Sequence, residues 1–381
     1  MLFTSLGLSA VLNQRLERLG YTVPTPVQTQ SIPVALRGDD VMARAHTGTG
    51  KTAAFGLPMI ERLLVHHPAG RKPRAPRGLV LVPTRELALQ VERALTSYGM
   101  PLSLRTASII GGAGMGPQIA ALRRGVDIIV ATPGRLIDHM QQRTVDLSAV
   151  EIVTLDEADR MLDMGFLPSL RRILPATPAG RQTLLFSATL SPEVRRLAAD
   201  FTRNAVYVDV AGDTAVTRTV SHRVETVADG AKGDVLTRVL TQPGTRQALV
   251  FCKTKRRSDR VGQHLTRAGI SAAVIHGNKS QGARNRALKD FNSGRVNVLV
   301  ATDIAARGLD IPQLPLVVNY DLPMAPEDYV HRVGRTGRAG RGGLAVSLVS
   351  SAERELLRGI RRVVAGPMEE GMTKTVRRTH A

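Results

Sequence analysis

The sequence contains no tryptophan, and aromatic residues make up only 3% of its 381 residues. Stacking of successive bases on aromatic rings is therefore a poor candidate for how this chain would bind a ligand. Its single cysteine, Cys252, excludes an internal disulfide. No apolar run approaches the roughly 18 residues that a membrane-spanning helix needs, and the first residues lack the features of a secretory signal. We expect a cytoplasmic protein that does not cross a membrane and keeps its cysteine reduced.

The chain is strongly basic, with 52 Lys and Arg residues against 32 Asp and Glu residues and a formal net charge of +20. A field of this sign attracts polyanions and speeds their encounter without reading their sequence. Nucleic acid is the expected partner. With so few aromatic residues, contact should run mainly through the phosphate backbone.

Short apolar runs recur along the chain at intervals that leave room for a helix between them. The first set comprises residues 40–44, 78–82, 108–111, 127–131, 152–155 and 183–187, and the second comprises 247–251, 272–275, 296–301, 316–319 and 343–348. This spacing is typical of βα units and parallel sheets. The sequence therefore predicts an α/β protein with two parallel-sheet domains in tandem, joined by a short linker.

The domain boundaries follow from changes in composition. Residues 1–207 should form the N-terminal domain and residues 220–365 the C-terminal domain. Residues 208–219 are polar, small and β-branched, and we predict a linker there. Residues 366–381 end in a polar stretch, for which we predict a short flexible tail.

A phosphate-binding loop follows the first predicted strand. Its residues are Ala45, His46, Thr47, Gly48, Thr49, Gly50, Lys51 and Thr52. In this pattern the glycines let backbone N–H groups approach phosphates, the lysine contacts the β- and γ-phosphates, and a hydroxyl binds Mg²⁺. Ala45 replaces the first glycine of the strict pattern. The strand before the loop and the helix-like segment after it still favour a nucleotide site at a helix N-terminus.

An acidic pair, Asp156 and Glu157, directly follows the predicted strand at residues 152–155. Carboxylates at a strand end can hold a metal ion and orient a water molecule. Together with the phosphate-binding loop, they indicate nucleotide hydrolysis on a Mg²⁺-bound phosphate.

The segment Asp156-Glu157-Ala158-Asp159 spells the motif that names the DEAD-box RNA helicases, and the rest of the chain resembles their motif series in order. The resemblance extends from Phe3 to about Leu357 and is strongest to the bacterial RhlE-like subfamily. It implies two RecA-like domains, an RNA-stimulated ATPase activity, and ATP with Mg²⁺ as cofactors.

The resemblance assigns roles at the nucleotide site. Gln28 would read the adenine edge and Tyr21 would stack beside it. Lys51 would contact the phosphates, Thr52 and Asp156 would bind Mg²⁺, and Glu157 would polarise the attacking water. Ser187 and Thr189 resemble the motif that couples hydrolysis to unwinding.

The second domain carries His331-Arg332-Val333-Gly334-Arg335-Thr336-Gly337-Arg338. Taken alone, three arginines at intervals of three fit a γ-phosphate site and a nucleic-acid patch equally well. The resemblance points Arg335 and Arg338 at the triphosphate, gives His331 a role in coupling the domains, and places Asp310 on the ribose.

The resemblance also implies that the chain binds single-stranded RNA and short duplexes without reading their sequence. The residues that it assigns to RNA binding are Pro83, Thr84, Arg85, Gly111, Gly112, Thr132, Pro133, Gly134, Arg135, Lys253, Arg284, Thr302 and Gly308. They would offer hydroxyls, backbone N–H groups and guanidinium groups, which suit phosphates and carry no base readout.

We thus predict a monomer that couples ATP binding and hydrolysis to local, non-processive unwinding or remodelling of RNA duplexes. An ATP-gated RNA clamp or annealing chaperone fits the same motifs and would hold RNA without displacing a strand. A DNA translocase fits less well, because Gln28 and the spelling at residues 156–159 match the RNA-dependent branch.

Overall fold

The predicted apolar runs form two parallel sheets in the computed structural model. The structure describes residues 2–46, 48–65, 75–210, 220–242, 247–306, 311, 314–336, 342–364 and 366–370. The chain divides into two compact units, residues 1–213 and 214–381. Each unit contains one seven-stranded sheet.

The first unit contains the following elements in chain order. They are α1 (Ala10–Arg18), α2 (Pro26–Arg37), β1 (Val41–Arg44), α3 (Lys51–Val65), β2 (Gly78–Leu81), α4 (Arg85–Gly99), β3 (Thr106–Ile109), α5 (Met115–Arg124), β4 (Ile128–Ala131), α6 (Pro133–Gln141), β5 (Ile152–Asp156), α7 (Ala158–Asp163), α8 (Leu167–Ile173), β6 (Gln182–Ser187), α9 (Pro192–Phe201) and β7 (Val206–Asp209).

The sheet of the first unit has the strand order β3-β4-β2-β5-β6-β1-β7. Its central strands are buried on both faces, which is why they read as continuous apolar runs. Residues of α1 to α4 pack on one face and residues of α5 to α9 on the other. All seven strands are parallel, so the loops after them meet at one edge of the sheet.

The second unit repeats this plan. Its elements are β8 (Val220–Thr226), α10 (Lys232–Leu240), β9 (Ala248–Phe251), α11 (Lys255–Arg267), β10 (Ala272–Ile275), α12 (Gln281–Asn292), β11 (Val298–Ala301), α13 (Asp303–Ala306), β12 (Leu316–Asn319), α14 (Pro326–Val333), β13 (Gly343–Val349), α15 (Arg354–Val363) and β14 (Met368–Glu370).

The second sheet has the strand order β10-β11-β9-β12-β13-β8-β14. This is the order of the first sheet with every strand number raised by seven. A residue at a given place in one unit therefore has a topological counterpart in the other. The helices α10 and α11 pack on one face, and their apolar residues join those of β9, β11 and β12 in one core.

The predicted linker begins too early. Residues 208 and 209 belong to β7, which pairs in parallel with β1, and the Val208 side chain is buried. The alternation Val206-Tyr207-Val208-Asp209 is typical of an edge strand with one buried face. Residues 211–219 of the predicted linker lie outside the described part of the chain.

The predicted flexible tail also needs correction at its start. Met368–Glu370 form β14, which pairs in parallel with the edge of β8. An edge strand is held mainly by backbone hydrogen bonds, so a segment with little apolar character can still form it. Met368 packs on the core, and Arg361 forms an ion pair with Glu370. Residues 371–381 lie outside the described range.

Two further expectations can be compared with the structure. Among the helices it describes, none is both long enough and apolar enough to span a bilayer. Cys252 is fully buried in the core of the second unit. Burial raises the pKa of this thiol well above its usual range, which keeps it protonated.

Candidate functional site

The predicted nucleotide-binding residues follow three neighbouring strands of the first sheet. The phosphate-binding loop follows β1, Glu157 follows β5, and the Ser187–Thr189 segment lies at the end of β6. In the sheet these strands stand in the order β5-β6-β1. Ligands of open parallel sheets bind at this carboxyl edge.

The phosphate-binding loop turns sharply into α3. Gly48 and Gly50 have φ values of 87° and 90°, a region that favours glycine. The Gly50 carbonyl accepts a hydrogen bond from the Ala54 N–H, and the His46 carbonyl accepts one from the Thr49 hydroxyl. Lys51 is the first residue of α3. Thr47 lies outside the described residues.

Gln28 connects the segment before α2 to this loop. Its Oε1 accepts a hydrogen bond from the Thr25 N–H at 2.9 Å, and its Nε2 donates to the Gly50 carbonyl at 3.0 Å. The Gln28 side chain is buried at the loop. It therefore links the Thr25 backbone to the turn of the loop, and contact between Gln28 and adenine stays a prediction.

Tyr21 lies in an aromatic cluster. Its ring makes edge contacts with Phe3 and Tyr98, at centroid distances of 6.1 and 5.9 Å. The Tyr21 and Tyr98 hydroxyl groups are 2.9 Å apart. These contacts fix the ring against the core, and stacking of Tyr21 on adenine stays a prediction.

Lys51 and Asp156 face each other across the site. The Lys51 Nζ lies 3.9 Å from the Asp156 Oδ1 and donates to the Ala45 carbonyl at 3.1 Å. Burial raises the pKa of Asp156 to about 6, although the charge of Lys51 lowers it. Because burial disfavours the charged form of the Asp156 carboxylate, a second cation close to it would stabilise that form.

Glu157 has a strained backbone and a fixed side chain. Its φ and ψ are 54° and 53°, which non-glycine residues rarely adopt. Its Oε2 lies 3.3 Å from the Arg160 guanidinium, and the side chain is mostly buried. Strain of this size is typical of functional sites that the surrounding structure holds in place.

Asp159 ties the acidic segment to the end of β6. Its Oδ2 accepts hydrogen bonds from the Ala188 N–H, the Thr189 N–H and the Thr189 hydroxyl. The Asp159 N–H donates to the Ser187 Oγ at 3.3 Å. A shift at the acidic segment would therefore move the Ser187–Thr189 segment with it.

The oxygen donors here fit Mg²⁺. Mg²⁺ keeps several waters and usually takes one or two protein oxygens besides substrate phosphates. Asp156 and the hydroxyl of Thr52 supply that number. Among the described residues no three His, Cys, Asp or Glu side chains cluster as a protein-only metal cage would need.

Replacing Gly50 by alanine should weaken ATP binding at least tenfold, because a Cβ at φ 90° is strained and would overlap the Gln28 side chain. Gly116→Ala is the matched control, since its Cβ would meet open space in α5. Titration with a fluorescent ATP analogue measures both variants. Equal affinity in the two would contradict the geometry of the loop.

The predicted RNA residues of this unit follow the other three neighbouring strands, β3, β4 and β2. Arg85 packs on Gly111 and Gly112, and a Cβ at Gly112 would overlap its guanidinium. Arg135 donates to the Ala113 carbonyl at 2.9 Å. Two guanidinium groups and a glycine-rich backbone thus lie together beside the nucleotide elements.

The other predicted RNA residues of this unit differ in their exposure to solvent. Pro83, Thr84, Thr132 and Pro133 are buried, whereas Gly134 is exposed. The Thr84 hydroxyl accepts a hydrogen bond from the Leu87 N–H and caps α4. Such residues can offer backbone groups to a ligand while their side chains hold the loops.

In the second unit the predicted RNA residues again follow the three strands at one end of the sheet. Lys253 follows β9, Arg284 lies in α12 after β10, and Thr302 follows β11. Lys253 is exposed, whereas Arg284 and Thr302 are largely buried. Gly308 lies outside the described residues.

The arginine motif begins in the last turn of α14 and continues beyond it. Arg335 is largely buried just after the helix, and the half-buried His331 lies within it. Asp310 and Arg338 lie outside the described residues.

Arg332, the first arginine of this motif, is held inside the unit. Its guanidinium makes two hydrogen bonds to Asp303 and one each to Asn319 and the Asp321 carbonyl. It also lies over the Phe251 ring. The motif spacing alone did not separate this structural arginine from Arg335.

Two family models match the sequence. The model for "DEAD/DEAH box helicase" matches residues 25–197, and that for "Helicase conserved C-terminal domain" matches residues 231–340. The chain is 42% identical to the DEAD-box ATP-dependent RNA helicase CshA of Bacillus licheniformis, over 98% of this chain and 76% of that one. It is 44% identical to the ATP-dependent RNA helicase DeaD of Mycobacterium tuberculosis, over 94% of this chain and 62% of the relative.

Solved structures are similar as well. Dbp5 of S. cerevisiae bound to RNA and ADP BeF3 matches with a TM-score of 0.85 and 30% identity, over 97% of this chain and 95% of that chain. A DEAD box protein from Methanococcus jannaschii matches with a TM-score of 0.55 and 35% identity, over 98% of this chain and 99% of that chain.

Proposed function

Because the chain belongs to the DEAD-box helicase family, we propose that it is an ATP-dependent RNA helicase that unwinds short RNA duplexes locally and non-processively. One observation carries this proposal. In the first unit, the residues predicted to bind the nucleotide follow β5, β6 and β1. The residues predicted to bind the RNA backbone follow β3, β4 and β2, at the same edge of the same sheet. A change at the bound phosphates can therefore reach the RNA-binding loops through adjacent strands.

At the nucleotide, each residue has a chemical task. Backbone N–H groups of the loop and the Lys51 ammonium would bind the phosphates, and Thr52 and Asp156 would hold Mg²⁺, which would supply positive charge to the phosphate oxygens. Glu157 would orient and polarise the attacking water, because Arg160 holds its carboxylate and its backbone N–H donates to the Asp156 Oδ1.

The transferred phosphoryl group also needs positive charge beyond that of Lys51 and Mg²⁺ in the transition state. We assign this task to Arg335 and Arg338, with Asp310 on the ribose. His331, Ser187 and Thr189 would couple hydrolysis to RNA. ATP and RNA should then bind cooperatively, and each should raise the affinity for the other by the same factor.

RNA is held through its backbone in this proposal. Arg85 and Arg135 suit phosphate oxygens, and the exposed backbone near Gly112 and Gly134 can donate or accept without reading bases. This predicts little sequence preference. The RhlE-like assignment also remains a prediction, since the relatives described above are CshA and DeaD proteins.

Strand displacement tests the proposal. A short blunt RNA duplex with one labelled strand is incubated with the protein, ATP and Mg²⁺, and strand release is followed with time. We expect release that requires both ATP and Mg²⁺ and that falls steeply as the duplex is lengthened. ATP-dependent retention of RNA without release would favour the clamp, and equal ATPase stimulation by DNA would favour a translocase.

A further inference from the structure

A buried ion cluster lies at the carboxyl edge of the second sheet. Lys232, the first residue of α10, is completely buried. Its Nζ donates to the Glu353 Oε2 at 2.5 Å and to the Tyr320 carbonyl at 2.8 Å, and it lies 3.7 Å from the Asp321 Oδ1. An ammonium group without water is stable only with such partners.

Glu353 holds this cluster from the other side. Its Oε1 accepts a hydrogen bond from the Leu322 N–H, and its Oε2 accepts from the Ser350 N–H and hydroxyl. Burial raises the pKa of Glu353, but the hydrogen bonds from Lys232, Ser350 and Leu322 outweigh it and leave the pKa below its usual range. Glu353 therefore stays charged and joins the segments after β12 and β13.

The same cluster occupies the place that the nucleotide site has in the first unit. Lys51 begins α3 and lies 3.9 Å from Asp156, which ends β5. Lys232 begins α10 and lies 3.7 Å from Asp321, which follows β12. The sheets have the same strand order, so α3 and β5 correspond to α10 and β12. In the second unit the Glu353 carboxylate is a further negative charge, in direct contact with the Lys232 ammonium.

Asp321 connects the buried ion cluster to the predicted RNA-binding segment. Its Oδ2 accepts a hydrogen bond from the Lys253 N–H at 2.9 Å, and its Oδ1 lies 3.4 Å from the Arg257 Nε. Lys253 and the first turn of α11 are thereby fixed to the cluster. The Lys253 side chain itself stays exposed.

We propose that Lys232 and Glu353 are positioning residues for RNA binding, which act through Asp321 on the Lys253 backbone and the start of α11. This inference rests on the proposed function, since it takes Lys253 as an RNA contact. Neither residue touches RNA. They hold Lys253 and the start of α11 in one conformation, so that RNA binding does not lose free energy to ordering these residues.

The test is a double-mutant cycle on the full chain with Lys232→Met, Glu353→Gln and the double variant. The measured quantities are the RNA concentration for half-maximal ATPase stimulation, kcat at saturating RNA, and the affinity for an ATP analogue. Each single variant should need about tenfold more RNA, as loss of a charge-assisted hydrogen bond predicts. ATP affinity measured without RNA should change less than about twofold, because the phosphate-binding loop, Gln28 and Asp156 lie in the other unit. The double variant should recover part of the loss, since no buried charge is left alone.

A matched control separates positioning from loss of stability. Arg77 is buried in the first unit and forms an ion pair with Glu151, and these two residues directly precede β2 and β5, at the opposite edge of the sheet from the predicted RNA residues. Glu151→Gln should lower the melting temperature by a similar amount without changing the RNA requirement. The inference is overturned if the Lys232 and Glu353 variants melt earlier but need no more RNA than the parent protein. If the parent's ATPase is not stimulated by RNA, the proposed function fails instead.

Discussion

Replacing Glu157 by glutamine should lower the rate of RNA-stimulated ATP hydrolysis by about 10²- to 10⁴-fold, the usual worth of a positioned base. Binding of ATP should remain, because Lys51, Thr52 and Asp156 are unchanged. The amide keeps the size of the carboxylate but cannot accept a proton from water. Single-turnover hydrolysis at saturating RNA measures the chemical step, and titration with an ATP analogue measures binding.

Glu17→Gln is the control for this variant, since Glu17 is an exposed carboxylate on α1. The melting temperature must be measured as well, because Arg160 loses its ion-pair partner when Glu157 is neutralised. Undiminished hydrolysis in a folded Glu157→Gln protein would contradict the assignment of the base. Arg160→Lys gives a second check: it keeps the charge near Glu157 but relaxes its position, so a smaller loss of rate is expected.

Much of the fold could be predicted because its central strands are buried on both faces. Such strands read as uninterrupted apolar runs, and the loops between them have room for one helix. The edge strands β7 and β14 do not follow this rule. Most of their residues are exposed, so their apolar pattern is weak and the sequence predicts a linker and a tail there instead.

The nucleotide site could be predicted in residue type but not in geometry. Local spacing identifies Lys51 and Asp156, yet the raised pKa of Asp156 follows from burial that only the packed sheet provides. The strained backbone of Glu157 has no signal in the sequence.

Long-range partners were equally invisible in the sequence. Lys232 and Glu353 are far apart along the chain, and neither lies in a motif that the sequence singled out. Arg332 lies within a recognised motif, but its burial against Asp303 and Phe251 required the fold. Sequence spacing indicates which side chains lie on the same helix or strand. Tertiary packing determines which of them already have hydrogen-bond or ion-pair partners within the protein.

Replacing Arg335 by alanine should lower the rate of ATP hydrolysis by about 10³- to 10⁵-fold, the range seen when a transition-state arginine is removed. The reason is that charge develops on the transferred phosphoryl group and needs a cation fixed in advance. ATP and RNA affinities should change far less, since such an arginine stabilises the transition state more than the bound ground state. The measurement is kcat at saturating RNA beside the two binding constants.

Arg332→Ala provides the contrast that identifies a catalytic arginine within the same motif. Arg332 is paired with Asp303, Asn319 and the Asp321 carbonyl, so its removal takes hydrogen bonds from the partly buried Asp303 carboxylate and the buried Asn319 side chain and should lower the melting temperature. Arg335→Ala should instead lose rate at temperatures where the protein remains folded. If both variants lost stability in parallel with rate, Arg335 would be a second structural arginine and the γ-phosphate would need another cation. Arg335→Lys then distinguishes charge from shape, because a lysine keeps the charge but not the planar fork that matches phosphate oxygens.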